Sequence, residues 1–456
     1  MMDSYDVIVV GAGPGGLAAA KAARQQGARK VLVLERENRS GGILNQCIHD
    51  GFGLFQYGQS LTGPEYACRA RQEASDAGVE IRTATMVTQV SRDRRITAVS
   101  RDGLQQYQAG AIVMATGCRE RTRGAIAIPG SRPAGVFTAG VVQNLVNLKN
   151  IMVGRQVVIL GSGDIGLIMA RRLTLEGAKV LAVLEIMPEP SGLERNISQC
   201  LEDFGIPLFT SHTVSRIIGN KRLTGVVVSP VDESGQPIKG SSWTFACDTL
   251  VLSVGLIPEN EVVKQAGAAL DGRTNGAITD DHLQTQVPGI FVCGNARKVM
   301  DIADYVSEQG EIAGKNAAAF AQGKPLVEVT QEKSNRMAKG LPPKNSVTCT
   351  LCPNGCRIIY RDDGAFDGCS CPRGEAFALQ EMVEPLRILT LTMKTETGRL
   401  IPVKTSAPVP RARLLEIAAS LNQTTLQDGR FQCGQIVIEN WGGLGVNIVA
   451  ADDQST

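Results

Sequence analysis

Residues 5–35, YDVIVVGAGPGGLAAAKAARQQGARKVLVLE, lie on residues 155–185, RQVVILGSGDIGLIMARRLTLEGAKVLAVLE, without a gap at an offset of 150. Gly11, Gly13 and Gly16 fall on Gly161, Gly163 and Gly166, Ala20 on Ala170, Gly27 on Gly177, and Glu35 on Glu185. A lone GxGxxG says little, because glycine-rich turns are common. Here each copy follows a β-branched strand (7–10 and 157–160), opens an apolar helix, and closes about twenty residues later with an acid at the end of a second strand. The pattern predicts an α/β chain with two Rossmann-like dinucleotide-binding units. The alternative, a pair of purely structural glycine turns, requires the whole match to be coincidence.

Each residue type has a physical reason. The first glycine allows the tight turn from strand to helix, the second lets backbone approach a pyrophosphate, and the third lets helix pack on strand. The phosphates then face free N–H groups at the helix N-terminus. Glu35 and Glu185 are each expected to accept a hydrogen bond from a ribose hydroxyl, and an acid at Glu185 disfavours a 2′-phosphate, so NAD is expected over NADP. Two nucleotides in one chain suggest a flavin and a nicotinamide.

Further segments carry a family resemblance. Ala115-Thr116-Gly117 follows a strand at 111–114, Val254-Gly255 precedes Pro258, and TQVPGIFVCG ends at Gly294. With the two fingerprints, these make residues 1 to about 330 resemble the two-dinucleotide-binding-domain flavoproteins of the pyridine nucleotide-disulfide oxidoreductase superfamily. The resemblance implies FAD at Gly11, Gly13, Gly16, Glu35, Gly42, Thr116, Gly117 and Gly294, and NAD at Gly161, Gly163, Gly166 and Glu185. Where the family has an aspartate for the flavin ribityl chain, this chain has Asn295, with Asp301 and Asp304 as alternatives. The implied organisation is a discontinuous FAD domain (1–120 and 270–325), an inserted NAD domain (121–269), a linker (326–346) and a small C-terminal Cys-rich α+β domain (347–456).

Disulfide reductases of this family carry two cysteines four residues apart after a Gly-Gly. In SGGILNQCIH only the second position is filled, by Cys47, and no CxxC or CxxxxC occurs before residue 349. Cys47 and His49 are the candidate catalytic pair, a lone thiolate near the flavin with an imidazole to lower its pKa and handle protons. The alternative is a buried small residue beside an ordinary hydrogen-bonded histidine. GGILNQCIHDGFG, LTGPEYA, ATGCRERTRGAIAIPGSRPAGVFTAG and YVSEQGEIAG resemble a narrower subgroup, found in glycerol 3-phosphate operons and related to the α subunits of opine and amine dehydrogenases. That likeness implies a subunit passing electrons between NAD and a partner flavoprotein dehydrogenase or electron carrier.

Cysteine usage sets apart the C-terminal end. Of twelve cysteines, five fall between Cys349 and Cys371. No export signal is legible, because the apolar stretch at 7–20 has Asp3 and Asp6 before it and glycines through it, so a cytoplasmic location with reduced thiols is expected. CTLCPNGC and CSCPRG supply Cys349, Cys352, Cys356 and Cys371 as candidate metal ligands, with Cys369 as a spare. Four thiolates suit tetrahedral zinc or an iron–sulfur cluster; the CxxCxxxC triplet with a remote Cys resembles the cluster-binding lobe of molybdopterin oxidoreductases, and metal-free thiols are the third alternative. With CPRG, EPLRILT and IPVKT, the segment from about 346 to 450 resembles an uncharacterised cysteine-motif domain. It is expected to contain a hairpin (388–394 and 399–404), a helix (412–421) and a strand (435–439). Cys68, Cys118, Cys200, Cys247, Cys293 and Cys433 are expected to be core residues.

Lysine plus arginine number 47 against 45 acids, a net charge of +2. That balance points to neither nucleic acid nor an anionic membrane, and no stretch is long and apolar enough to span one. The leading expectation is an FAD-dependent NAD(P)H oxidoreductase with a C-terminal iron–sulfur cluster, possible as an oligomer. The alternatives are a single-cysteine thiol or peroxide reductase with a structural zinc domain, and a non-catalytic redox-sensing subunit.

Overall fold

The computed structural model describes residues 3–328, 345–361 and 363–453. Most of the expected linker lies outside the described residues. The chain divides into two compact units, one built from the N-terminal segment through Cys47, Phe52–Arg119 and the chain from Leu256, the other from Ile48–Gly51, Glu120–Gly255 and the C-terminal residues from 345.

The first unit is organised on a sheet in the order Glu80–Arg82, Val31–Leu34, Asp3–Val10, Gly103–Met114, with Ile290–Val292 beside the last. These strands are parallel, Val7 lying opposite both Val31 and Ala111. The near-continuous apolar runs of the sequence follow from burial on both faces. Val7, Val9, Val31, Val33, Ala111 and Val113 enter one core, and Ile8, Val10, Leu32, Leu34, Ile112 and Met114 the other, the two-residue period of a pleated sheet. Helix Pro14–Gln25 packs on the first face against helix Ala303–Ala321. A Cβ on Gly310 would stand 2.1 Å from the Gly15 carbonyl oxygen and one on Gly314 2.0 Å from that of Ala19, so the two helices meet at backbone contact.

The second unit repeats the plan. Its parallel strands run in the order Val136–Thr138, Thr249–Leu252, Gln156–Leu160, Lys179–Leu184, Leu208–Phe209, followed by an antiparallel sheet of His212–Gly219, Leu223–Pro230 and Trp243–Phe245. The C-terminal residues belong to the same unit. Thr390–Thr395 and Leu400–Thr405 form the expected hairpin, extended by Ile448–Ala450 and Ile436–Ile438, and helix Leu414–Gln423 covers the sheet. Their core contains Leu175, the last residue of the helix of the second fingerprint. Asp203 and Arg387, 2% and 4% exposed, pair at 2.6 Å, with Glu381 and Arg411 completing the network.

Candidate functional site: two nucleotide turns and a cysteine lobe

The repeat persists to single hydrogen bonds. In the first unit Gly11 N–H donates to Leu34 O at 2.9 Å, and in the second Gly161 N–H donates to Leu184 O at 2.7 Å. Glu35 accepts from the amides of Ala12 (2.8 Å) and Glu37 (2.9 Å); Glu185 accepts from those of Ser162 (3.1 Å) and Met187 (3.0 Å). Each of these pairs is related by the offset of 150. Each buried acid is thus held between one amide of its glycine turn and one of its own loop.

Gly11 and Gly161 share a φ of +101°, which disfavours any side chain, and a Cβ there would strike the carbonyl of Ala115 or Ser253. Gly16 and Gly166 come next to the first glycine of each turn: a Cβ would lie 1.9 Å from Gly11 O in one and 2.6 Å from Gly161 O in the other. Gly13 and Gly163 are the N-caps of helices Pro14–Gln25 and Asp164–Leu175, neither with a side-chain cap. Pro14 brings no N–H and the Gly166 N–H already donates to Ser253 Oγ at 3.1 Å, which leaves the amides of Gly15 and Gly16 in the first turn and of Asp164 and Ile165 in the second to face an anion. Around Gly13 no atom lies within 4 Å of where a Cβ would stand. At Gly163 the surroundings are closer, with Ser253 Oγ at 3.6 Å and Ser191 Oγ at 3.9 Å. Ser253 follows strand Thr249–Leu252, and Ser191 belongs to a loop after Glu185, where Ser191 N–H donates to Ser162 Oγ, Gly192 N–H to Ser162 O and Leu193 N–H to Asp164 Oδ1.

The other residues expected at the first turn gather in the first unit. Gly41 N–H donates to Ala12 O at 2.7 Å, and Gly42 brings backbone close to Gly13. Thr116 Oγ1 donates to Glu259 O, Gly117 turns with open space around it, and Gly294 N–H donates to Gln309 Oε1 at 2.8 Å. Asn295 is half-buried; its Oδ1 accepts from Met300 N–H, and its Nδ2 reaches Cys118 Sγ at 3.6 Å. Asp301 is exposed, whereas the Asp304 carboxylate accepts from the amides of Gly53 and Gln56, which ties it to that loop.

Cys47 and His49 fall in different units. Cys47 is half-buried and ends the short 3-10 turn Gly42–Gln46. Burial, helped by Arg195 and Arg171 and opposed by Asp50, pushes the His49 imidazole down to about 4. An imidazole uncharged at pH 7 cannot provide the positive charge expected to lower a thiol's pKa, so that part of the sequence expectation is corrected by the burial of the ring.

In the C-terminal lobe Cys349 and Cys356 are buried beside Ile358 and Ala378, Cys352 and Cys369 are half-buried, and Cys371 is exposed. Burial lifts the Cys349 thiol to about 11, with Cys352, Cys356 and Cys371 close enough to add to the effect. Three of the expected ligands are thus in electrostatic reach of the fourth, Cys349, and thiol chemistry suits zinc or iron. Among the described residues no three Cys, His, Asp or Glu side chains are arranged to hold a metal ion as they stand. Gly355 of this loop packs on helix Glu194–Cys200, and Arg357 pairs with Glu194 at 3.2 Å. Of the six remaining thiols, Cys200, Cys247 and Cys293 are buried as expected; Cys68, Cys118 and Cys433 are only half-buried.

Two matched turns with opposed acids are the geometry of a two-nucleotide flavoprotein. The family model for pyridine nucleotide-disulphide oxidoreductases matches residues 5–313. The chain belongs to this family. It is accordingly an FAD-dependent NAD(P)H oxidoreductase, and the open, amide-lined turn at Gly13 together with Glu35 fits FAD there, as the second turn with Glu185 fits a nicotinamide nucleotide. Thioredoxin reductase of Listeria monocytogenes is 26% identical over 322 residues, covering 70% of this chain and 94% of that protein. An opine oxidase subunit of Agrobacterium tumefaciens is 24% identical, covering 73% of this chain and 68% of that protein. Among solved structures, T. acidophilum thioredoxin reductase aligns with a TM-score of 0.58 at 22% identity over 70% of this chain and 99% of that one, a likeness of fold. A second family model, of a protein of unknown function (DUF1667), matches residues 372–452, beginning just after Cys371. No described helix is long and apolar enough to cross a membrane.

Sequence reading missed the buried arginines of the second unit. A signal was present in the repeat: Arg172 occupies the position of Ala22, on the buried side of its helix.

Proposed function

We propose that this oxidoreductase exchanges a hydride with NAD(H) and passes electrons onward to a partner dehydrogenase or carrier through a metal centre on the C-terminal lobe. The observation that carries the reading is a contrast in cysteine placement. The flavoprotein part has no closely spaced dithiol, while four neighbouring thiols stand on the unit that holds the second nucleotide turn. FAD supplies, when bound, the conversion between two-electron exchange with a nicotinamide and single-electron transfer. The protein's part is to position: Gly11, Gly13, Gly16 and Glu35 would hold the flavin nucleotide, with Gly42, Thr116, Gly117, Gly294 and Asn295 around it. Gly161, Gly163, Gly166 and Glu185 would hold NAD, Glu185 disfavouring NADP. Cys349, Cys352, Cys356 and Cys371 would hold an iron–sulfur cluster. The relatives that are subunits of larger oxidases favour a multi-subunit setting, for which glycerol 3-phosphate is one candidate substrate, and a cytoplasmic location suits reduced thiols.

The thioredoxin reductase relatives favour a second reading, a thiol or peroxide reductase using Cys47 with zinc on the lobe. Cys47→Ser separates the two. NADH-to-dye electron transfer within about twofold of wild type supports the electron-transfer reading; its loss, in a variant that retains flavin, supports the thiol reductase.

A further inference from the structure

Helix Asp164–Leu175 buries two adjacent arginines. Arg172 has a counter-charge: its Nη1 stands 2.6 Å from Glu176 in an ion pair, though without a well-aligned hydrogen bond, and the side chain donates to Asn147 Oδ1 at 2.9 Å and to Thr392 Oγ1 at 3.2 Å. Arg171, 6% exposed, donates from Nη2 to the Ile388 carbonyl at 2.9 Å, but its buried Nε has no acceptor, and among the described residues no carboxylate pairs with it. Arg195, 4% exposed, acts on His49 together with Arg171, and its Nε is likewise without an acceptor. The nearby acids are committed elsewhere: Asp203 to Arg387 and Arg411, and Asp164 to Leu193 N–H and Asn196. Asp50 opposes the arginines at His49, yet the imidazole is still pushed well down.

Arg171 lines a cavity of about 20 Å³ together with Arg172, His49, Asn147, Gln199 and Thr390. That is room for one occupant of about the size of a water molecule. We infer that this cavity binds a single small inorganic anion, of the charge and size of chloride, as the counter-charge of the buried, unpaired Arg171 guanidinium that lines it. A buried guanidinium without a counter-charge is costly, and a water in the same place leaves the charge uncompensated. Phosphate or a carboxylic acid is too large for the space. The cavity is walled by the helix of the second nucleotide turn and by strand Thr390–Thr395 of the C-terminal lobe, so the anion ties the two together.

The test is thermal unfolding of the full chain at pH 7 in sodium chloride, sodium bromide and sodium gluconate at equal ionic strength. The expected result is a saturable rise in Tm of about a few degrees with either halide and none with gluconate. Arg171→Met is expected to remove the rise, and Arg413→Gln, in an exposed pair, to keep it. Equal Tm in all three salts, or a halide effect that persists in Arg171→Met, overturns the proposal. Should Arg171→Met not fold, crystals in bromide decide: an anomalous peak in the cavity beside Arg171 supports the site, and its absence overturns it.

Discussion

At the scale of single residues, the two turns make opposite predictions from the same change. A Cβ on Gly16 meets Gly11 O and one on Gly166 meets Gly161 O and Ser253 Cβ, so each Gly→Ala is expected to destabilise its unit by about 1–3 kcal/mol. Gly16→Ala should lower flavin content while Gly166→Ala leaves the flavin bound and raises KM for NADH severalfold; flavin absorbance and steady-state kinetics read the two separately. Glu185→Ser should narrow the preference for NADH over NADPH by about tenfold, measured as a ratio of kcat/KM. His49 predicts a pH dependence. Its folded pKa of about 4 lies below the ordinary 6.5, so the unfolded chain takes up the proton first as pH falls. The contribution is whole above about 6.5, declines toward 4 and is then exhausted, an amount of about 3 kcal/mol. Urea unfolding between pH 4.5 and 7 should show this slope in the wild type and a shallower one in His49→Gln. These glycines and acids were legible because nucleotide turns restrict residue type at fixed spacing. Which unit His49 joins was not legible, because two residues of separation from Cys47 say nothing about it.

Among elements, the helix of each fingerprint was legible from its apolar run, but what packs on it was not. Gly310 and Gly314 gave no periodic signal, yet they let helix Ala303–Ala321 approach helix Pro14–Gln25 to backbone contact. The C-terminal hairpin was visible in its alternation around Glu396-Thr397-Gly398; its anchorage was invisible, since Asp203 and Arg387 stand 184 residues apart. Asp203→Asn removes one carboxylate from between Arg387 and Arg411 and is expected to cost about 3 kcal/mol, the low end for breaking a buried pair because Glu381 still faces Arg387. A shift in the urea midpoint of unfolding measures it.

For the whole molecule, the duplication explains why so much was readable: one βαβ plan, written twice, fixes the parallel strands of two sheets and two nucleotide turns. The C-terminal residues obey no such repeat. Their cysteine spacing led to the expectation of a shared metal site, but the sequence left open which unit they join, and packing answers the latter through Leu175 and the Asp203 network. The central claim is that electrons leave the flavin through a metal centre on this lobe. It is tested most directly by the visible spectrum and metal content of the protein purified anaerobically. The account predicts flavin together with about four irons per chain, and loss of the iron in Cys352→Ser with flavin retained. Flavin with zinc as the sole metal, or with no metal at all, contradicts it.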